Sequence, residues 1–95
     1  MARLILHFKD KVLDVYPIHS GQQVTIGRHH ENGIVVDNLA VSGQHARIAW
    51  SDEAVTISDL KSKNGTFVND VRVTEAVLDH NDTIVVGKHT LVVDL

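Results

Sequence analysis

The sequence predicts an all-β fold, a sandwich or barrel of about ten short strands. Apolar residues recur with a period of two in short runs, and Gly, Asn and Asp residues separate those runs. Only Glu75–Leu78 resembles the start of a helix, and four residues are too few to nucleate one securely. With 95 residues there is room for one hydrophobic core. We therefore expect residues 1–95 to form a single domain, by itself or within a longer multidomain protein.

The predicted strands follow one another along the whole chain. The first two form a hairpin, because the polar turn Lys9–Lys11 separates two alternating runs. A short turn at Ser51–Glu53 separates two later strands in the same way. The strands are predicted at Leu4–Phe8, Val12–Tyr16, Gln23–Arg28, Ile34–Val36, His45–Trp50, Ala54–Asp59, Thr66–Val68, Val71–Val73, Thr83–Gly87 and His89–Asp94.

The composition excludes several classes of function. Nine Lys and Arg residues against twelve Asp and Glu give a net charge of −3, so general attraction to nucleic acid or anionic lipid is not expected. The chain has no cysteine and no apolar run of the roughly 20 residues that a membrane span needs. Neither Gly-x-Gly-x-x-Gly nor Gly-Lys-Ser/Thr occurs. We expect a cytoplasmic monomer that needs no cofactor, metal, nucleic acid or membrane.

Gly27 and Arg28 end the third predicted strand, just before the polar loop His29–Gly33. Glycine allows the backbone to bend or approach closely, and the guanidinium group can hold two phosphate oxygens at once. A surface arginine after a turn glycine, without any ligand, explains the same two residues.

Ser42 and His45 stand three residues apart, the serine in a loop and the histidine at the start of a strand. The serine can donate its hydroxyl hydrogen to an anion while its backbone N–H points outward. The histidine is better placed to hold the loop through hydrogen bonds than to touch a ligand. We therefore interpret His45 as a partly buried structural residue.

The segment Ser62–Thr66 contains Asn-Gly between two strands, which is the strongest short signal for a hairpin turn. A turn without any ligand accounts for it. Lys63 and Asn64 would nevertheless project from the tip of this loop. Because an amide carries both a donor and an acceptor, Asn64 could pair with the backbone of an extended peptide.

Together these motifs resemble the forkhead-associated (FHA) domain family over roughly positions 3 to 94. The resemblance is specific because separate loop motifs coincide at the right separations. The residues that carry it are Ile26-Gly27-Arg28, Val41–Ala46, Asp59-Leu60, Ser62–Asn69, Leu78, Asp82, Ile84 and Gly87.

The resemblance implies an antiparallel two-sheet β-sandwich of about eleven strands whose loops at one end bind phosphothreonine in an extended partner segment. By position, Arg28 and Ser42 would contact the phosphate, and Lys63 or its backbone would add to that pocket. Asn64 would hold the peptide main chain beside the phosphothreonine. The partner would be a threonine-phosphorylated protein or peptide, bound for signalling rather than for catalysis.

Further residues are implied to support the loops. Gly27, His45, Gly65 and Asn69 would shape and brace them. The chain departs from the family at Gly43, where many members carry a longer polar or basic side chain that helps to hold the phosphate. Only the backbone N–H of Gly43 could serve here, unless Lys63 and His29 substitute for the missing side chain.

Three alternatives remain at this point. The same loops or one sheet face could bind an unphosphorylated partner, or another copy of the domain, independently of phosphate. A hydrolase could use Ser42, His45 and Asp59, but the chain is short and has no evident cleft-forming segment. A metal site would have to be built on the adjacent pair His29-His30, which has no third ligand at a suitable spacing.

Overall fold

Eleven short strands form two sheets that pack face to face. A computed structural model describes all 95 residues, Met1–Leu95. It confirms the predicted all-β sandwich, and its regular secondary structure consists of strands alone. The strands are β1 (Ala2–Phe8), β2 (Lys11–Ile18), β3 (Gln23–Gly27), β4 (Ile34–Val35), β5 (Ala46–Ser51), β6 (Ala54–Asp59), β7 (Thr66–Val68), β8 (Val71–Val73), β9 (Glu75–Leu78), β10 (Thr83–Val86) and β11 (His89–Asp94).

One sheet has six strands in the order β2-β1-β11-β10-β7-β8, and the other has five in the order β4-β3-β5-β6-β9. One pairing departs from the predicted antiparallel pattern. The two-residue strand β4 runs parallel to β3, with Ile26 opposite Ile34 and Gly27 opposite Val35. The intervening loop carries the chain back so that β4 runs in the same direction as β3.

No helix capable of crossing a membrane is found.

The segment Glu75–Leu78, the one possible helix start, is strand β9 at the edge of the five-stranded sheet. It pairs with β6, with Val55 opposite Leu78 and Ser58 opposite Glu75. A four-residue segment gains little from helix formation, whereas the open edge of β6 offers it a row of hydrogen-bond partners. Tertiary pairing therefore decides the conformation of this segment.

The period-two pattern of the sequence places one face of each strand in the core between the sheets. Ile48 and Ile57 lie opposite each other on β5 and β6, and neither is exposed to solvent. Burial of this apolar surface is the main favourable term in folding. The buried core consists of Ala2, Leu4, Leu6, Ile18, Ile26, Ile34, Val36, Val41, Ala46, Ile48, Val55, Ile57, Leu78, Ile84, Val86, Leu91 and Val93.

The direction of the strands gathers three loops at one end of the sandwich. Strand β5 is antiparallel to both β3 and β6, so its start lies beside the ends of those two strands. The loops at residues 28–33, 36–45 and 60–65 therefore meet at this end, which we call the loop end.

Truncating the core should test this packing. We expect Ile57→Ala to lower the free energy of unfolding by about 2 to 5 kcal/mol, because it removes buried methyl groups and leaves a cavity. Val77→Ala, on the neighbouring strand at an exposed position, should cost well under 1 kcal/mol. Urea denaturation of both variants would measure this difference, and equal losses would contradict the assigned core.

Candidate functional site

An open cleft of about 340 Å³ lies at the loop end of the sandwich. It brings together the four residues predicted to bind phosphate or peptide, although they come from three separate loops. Leu39 stands at its rim and is 90% exposed. The cleft is lined by Arg28, Leu39, Ala40, Val41, Ser42, Gly43, Lys63 and Asn64.

Backbone hydrogen bonds hold the first two loops side by side. The N–H of Arg28 donates to the carbonyl oxygen of Ser42 at 3.0 Å, and the N–H of His29 donates to that of Gly43 at 3.3 Å. These bonds join the two loops just beyond the end of the β3–β5 pairing. They place the half-buried Arg28 next to Ser42 in a fixed arrangement.

His45 links the second loop to the third and is fully buried. Its Nδ1 accepts the Ser42 N–H at 3.1 Å, and its Nε2 lies 2.8 Å from the carbonyl oxygen of Gly65. Because a carbonyl oxygen can only accept, Nε2 carries the proton and the ring is the neutral Nε2–H tautomer. His45 therefore joins the two loops from a fully buried position, whereas the sequence predicted a partly buried histidine. His45 also binds the Ser42 N–H, which we had expected to point outward.

Ser42 presents a hydroxyl hydrogen to the cleft. Its Oγ accepts the backbone N–H of Lys63 at 3.0 Å, so the hydroxyl hydrogen remains free to donate. The resemblance implied that Lys63 contacts the phosphate through its side chain or through its backbone. This hydrogen bond occupies the backbone N–H of Lys63. Only the exposed Nζ of Lys63 is then left for an anion.

The Ser42 and His45 side chains do not form a nucleophile–base pair. The histidine Nδ1 faces the serine backbone rather than Oγ, and both ring nitrogens are occupied. Asp59, the third member of that alternative, directs its carboxylate to Ser62 and Thr66. The arrangement required for nucleophilic catalysis is therefore not formed by these residues.

Asn64 is exposed at the tip of the third loop and reaches across to the second loop. Its Nδ2 donates to the carbonyl oxygen of Ala40 at 2.8 Å. Its Oδ1 has no protein partner and can accept a hydrogen bond from a backbone N–H. The next residue, Gly65, has a φ of 92°, which favours glycine and sharply turns the loop after Asn64.

The imidazole of His29 fills the space that a side chain at position 43 would need. A Cβ atom placed on Gly43 would lie between 2.4 and 2.8 Å from three ring atoms of His29. His29 is exposed and lies next to Arg28, beside a shallow polar depression that both residues line with His30, Glu31 and Asp37. His29 therefore covers the outside of Gly43, which lines the cleft, but does not line the cleft itself.

Asn32 is a supporting residue that the sequence did not reveal. It is 6% exposed, and its Nδ2 donates to the carbonyl oxygens of His29 and Gly43 at 2.8 and 2.7 Å. Beside it, a Cβ atom on Gly27 would lie 2.2 Å from the Gly43 carbonyl oxygen. A side chain at position 27 therefore has no room, because the Gly43 backbone lies too close.

Asp59 holds the third loop together, a role that its position at the end of β6 did not suggest. Its carboxylate accepts the Ser62 and Thr66 hydroxyls at 2.6 and 2.7 Å and the Ser62 N–H at 3.1 Å. Ser62 Oγ in turn accepts the Gly65 N–H at 3.0 Å. Burial raises the pKa of the Asp59 carboxyl, but these hydrogen bonds outweigh burial and hold the pKa below its usual value.

Asn69 lies outside the cleft, in the turn between β7 and β8. Its Nδ2 donates to Asp82 Oδ1 at 2.9 Å, and its Oδ1 accepts the Thr83 N–H at 3.0 Å. These bonds brace the β7–β8 turn against the start of β10. Asn69 is therefore a scaffold residue, but of a different turn from those that form the cleft.

The cations of the cleft have no internal counter-charge. Neither Arg28 nor Lys63 has a carboxylate oxygen within 4 Å, since the only ion pairs join Asp94 to Arg3 and to His80. A guanidinium group, an ammonium group and a hydroxyl hydrogen thus face one open space. This combination suits an anion with several acceptor oxygens.

A second depression, of about 270 Å³, lies at the opposite end of the sandwich. Apolar residues such as Trp50 and Leu78 dominate its lining, and its only charged side chains are those of Glu53 and Asp79. No arginine, lysine or histidine lines it, so it offers an anion no cationic side chain. The cleft at the loop end is therefore the better candidate site.

Comparison with known proteins identifies a family and several relatives. The FHA domain model matches residues 24–87. The glycogen accumulation regulator GarA of Mycobacterium tuberculosis is 38% identical over 66 residues, which cover 70% of this chain and 41% of GarA. The chain spans between 8% and 48% of the length of curated relatives that it matches.

Solved structures share the whole fold. An FHA domain from work on phosphothreonine-dependent FHA domain interactions superposes with a TM-score of 0.89 and 30% identity, covering 99% of this chain and 95% of that one. EmbR of Mycobacterium tuberculosis, in complex with a low-affinity phosphopeptide, gives a TM-score of 0.84 and 31% identity. That match covers 98% of this chain and 24% of the EmbR chain.

The Asp59 hydrogen bonds should make the fold sensitive to acid. Because the folded-state pKa lies below the usual 3.8, the stabilisation is complete well above that pH and is lost as the pH falls through the folded-state value. Asp59→Asn should therefore lower the free energy of unfolding at pH 7. The difference in this free energy between the variant and the unmodified chain is the deficit, and it should shrink below about pH 4. Denaturation at several pH values would measure this, with the exposed Asp52→Asn as control. A deficit independent of pH would contradict the assignment.

Proposed function

This chain belongs to the FHA domain family, a family of binding modules, and we propose that its cleft binds phosphothreonine in an extended segment of a partner protein. The observation that carries the proposal is the convergence of Arg28, Ser42 and Lys63, from three loops, on one cleft without an internal anion. In this role the chain serves phosphorylation-dependent signalling.

The chemistry of the cleft matches a phosphate monoester. The group carries about −1.5 to −2 charge near neutral pH and three strong acceptor oxygens. Arg28 would hold two of these oxygens through its planar guanidinium, and the Ser42 hydroxyl would donate to a third. Lys63 Nζ would add a mobile positive charge at the open side, where solvent weakens its effect.

Asn64 would hold the main chain of the partner beside the phosphothreonine. Its free Oδ1 can accept a backbone N–H, and the second hydrogen of Nδ2 can reach a carbonyl oxygen while the first stays on Ala40. An extended segment exposes both kinds of backbone group, whereas a helix uses them internally. The amide thus favours an extended partner segment.

The expected affinity is micromolar. Charge-assisted hydrogen bonds contribute about 1.5 to 3 kcal/mol each, and three or four of them are available here. Association and the ordering of the peptide offset much of this gain. Moderate affinity with rapid exchange suits reversible recognition by loops on a rigid scaffold.

Known relatives support the proposal. A structure with 31% identity to this chain is that of EmbR with a phosphopeptide, and a relative with 38% identity is a regulator of glycogen accumulation. We propose that this chain is likewise a binder, and in addition that it acts as a monomer in the cytoplasm, without catalytic activity or a cofactor. Residues 1–95 would form a single FHA domain, by itself or within a longer multidomain protein.

Removing the guanidinium group should strongly weaken binding. We expect Arg28→Ala to lower the affinity for a phosphothreonine peptide by at least about 2 kcal/mol, roughly thirtyfold, because it removes the main counter-charge of a partly desolvated anion. Isothermal titration calorimetry would measure the loss. Arg3→Ala removes the same charge at the opposite end of the sandwich and should leave the affinity nearly unchanged.

The matched unphosphorylated peptide completes this experiment. We expect no measurable binding of that peptide to the unmodified chain. Equal affinity for both peptides would replace the proposal with a phosphate-independent interaction, and full affinity of Arg28→Ala would refute the assigned site.

His29 should contribute to phosphate binding in place of a side chain at position 43. We expect His29→Ala to weaken phosphopeptide binding about threefold, in the range of an exposed charge-assisted contact. In Gly43→Lys the new side chain should displace the ring, so that His29→Ala has no further effect in that background. Calorimetry on the four variants of this cycle measures the coupling.

His30→Ala, at the neighbouring exposed histidine, is the control and should not alter the affinity. Additive effects of the His29 and Gly43 substitutions would show that the two residues do not share one space at the phosphate.

A further inference from the structure

Arg72 belongs to strand β8, yet its side chain packs against the third loop. On β8 it stands opposite Phe67 of β7, which makes Gly65 its diagonal neighbour across the pair. A Cβ atom on Gly65 would lie 2.7 Å from Arg72 Nε and 3.0 Å from Cζ. The guanidinium group therefore rests on the Gly65 backbone, in the space left by the missing side chain.

The surface under Arg72 is rigid. The Gly65 N–H donates to Ser62 Oγ at 3.0 Å, and the Gly65 carbonyl oxygen lies 2.8 Å from the Nε2 of His45. Both backbone groups of the glycine are thus fixed by buried side chains. A long side chain packed on such a surface loses less conformational entropy when it binds a ligand than one that extends freely into solvent.

The donors of Arg72 are free. No hydrogen bond joins its guanidinium to another residue, and no carboxylate oxygen lies within 4 Å of it. Arg72 is exposed. Five N–H donors in a planar fork are therefore available to an external acceptor at a defined place.

The position of Arg72 relative to the cleft suggests which part of a ligand it would meet. Asn64 lines the phosphate cleft, but Gly65 and Arg72 do not. The guanidinium therefore lies outside the cleft, against the residue that follows Asn64 in the chain. A segment gripped at its phosphothreonine and held along its backbone by Asn64 can continue past Arg72, advancing about 3.3 Å per extended residue.

We infer that Arg72 selects an acidic side chain, aspartate or glutamate, at a position flanking the phosphothreonine of the partner segment. This inference rests on the proposed function, because Asn64 must hold the segment for its neighbouring side chain to reach Arg72. A carboxylate matches the guanidinium fork in both charge and geometry. The inferred contact is separate from the phosphate cleft and sets sequence preference rather than phosphate dependence.

A peptide set with fixed phosphothreonine tests the inference. Each flanking position in turn carries aspartate, asparagine or alanine, and fluorescence anisotropy measures the affinity for the unmodified chain, Arg72→Gln and Arg72→Glu. We expect aspartate at one flanking position to tighten binding about fivefold in the unmodified chain, the upper range for an exposed ion pair. The gain should vanish in Arg72→Gln, and Arg72→Glu should disfavour the acidic peptide.

Arg47→Gln is the matched control, since it removes an exposed arginine from β5 of the other sheet and should keep the preference. Melting temperatures of the variants show that the fold is intact. A preference that survives in Arg72→Gln, or no acidic preference in the unmodified chain, overturns the inference while phosphate-dependent binding remains. Loss of any difference between phosphorylated and unphosphorylated peptides overturns the proposed function itself.

Discussion

The cleft depends on one buried imidazole that joins two loops distant in sequence. His45 accepts a hydrogen bond from the Ser42 backbone and donates one to the Gly65 backbone, and it has no exposure to solvent. Both bonds are satisfied only by the neutral Nε2–H tautomer. Without this bridge, the loop that carries Ser42 and the loop that carries Asn64 would lose their buried connection. The spacing of the proposed ligand groups therefore follows from a residue that does not touch the ligand.

Structural side chains take up the backbone groups of the loops and leave the ligand groups free. The Ser42 N–H, the Lys63 N–H and the Gly65 N–H are all bound within the protein. The Arg28 guanidinium, the Ser42 hydroxyl hydrogen and Lys63 Nζ keep their donors for an external anion. Because the loop backbone that carries these donors is fixed before binding, the loops need little reorganisation when the anion arrives, which favours affinity. Apart from Ser42 Oγ and Asn64 Nδ2, which take part in both, the scaffold bonds and the proposed ligand contacts use different atoms of the loops.

Sequence analysis predicted the features that local pattern encodes. Period-two alternation located most of the strands, and the resemblance to the FHA family implied that Arg28, Ser42 and Asn64 share one binding site. Contacts set by tertiary structure were not predictable in this way. Residues 75–78 form strand β9 because they pair with the open edge of β6. Strand β4 runs parallel to β3 because of the path of the loop between them.

The supporting residues were missed for the same reason. Asn32 was one polar residue in a polar loop, and Arg72 reaches Gly65 only because β7 and β8 pair in a particular register. The signal for Asp59 was weak, since an acidic residue at a strand end is common on any surface. Its role depends on two hydroxyls, of Ser62 and Thr66, that the turn brings back to it.

The most direct test of the account is a two-bond ¹H–¹⁵N correlation spectrum of the histidine rings, with and without a phosphothreonine peptide. The account predicts that His45 shows a protonated Nε2 and an unprotonated Nδ1 in both states, whereas a proton on Nδ1 or rapid exchange between tautomers would contradict it.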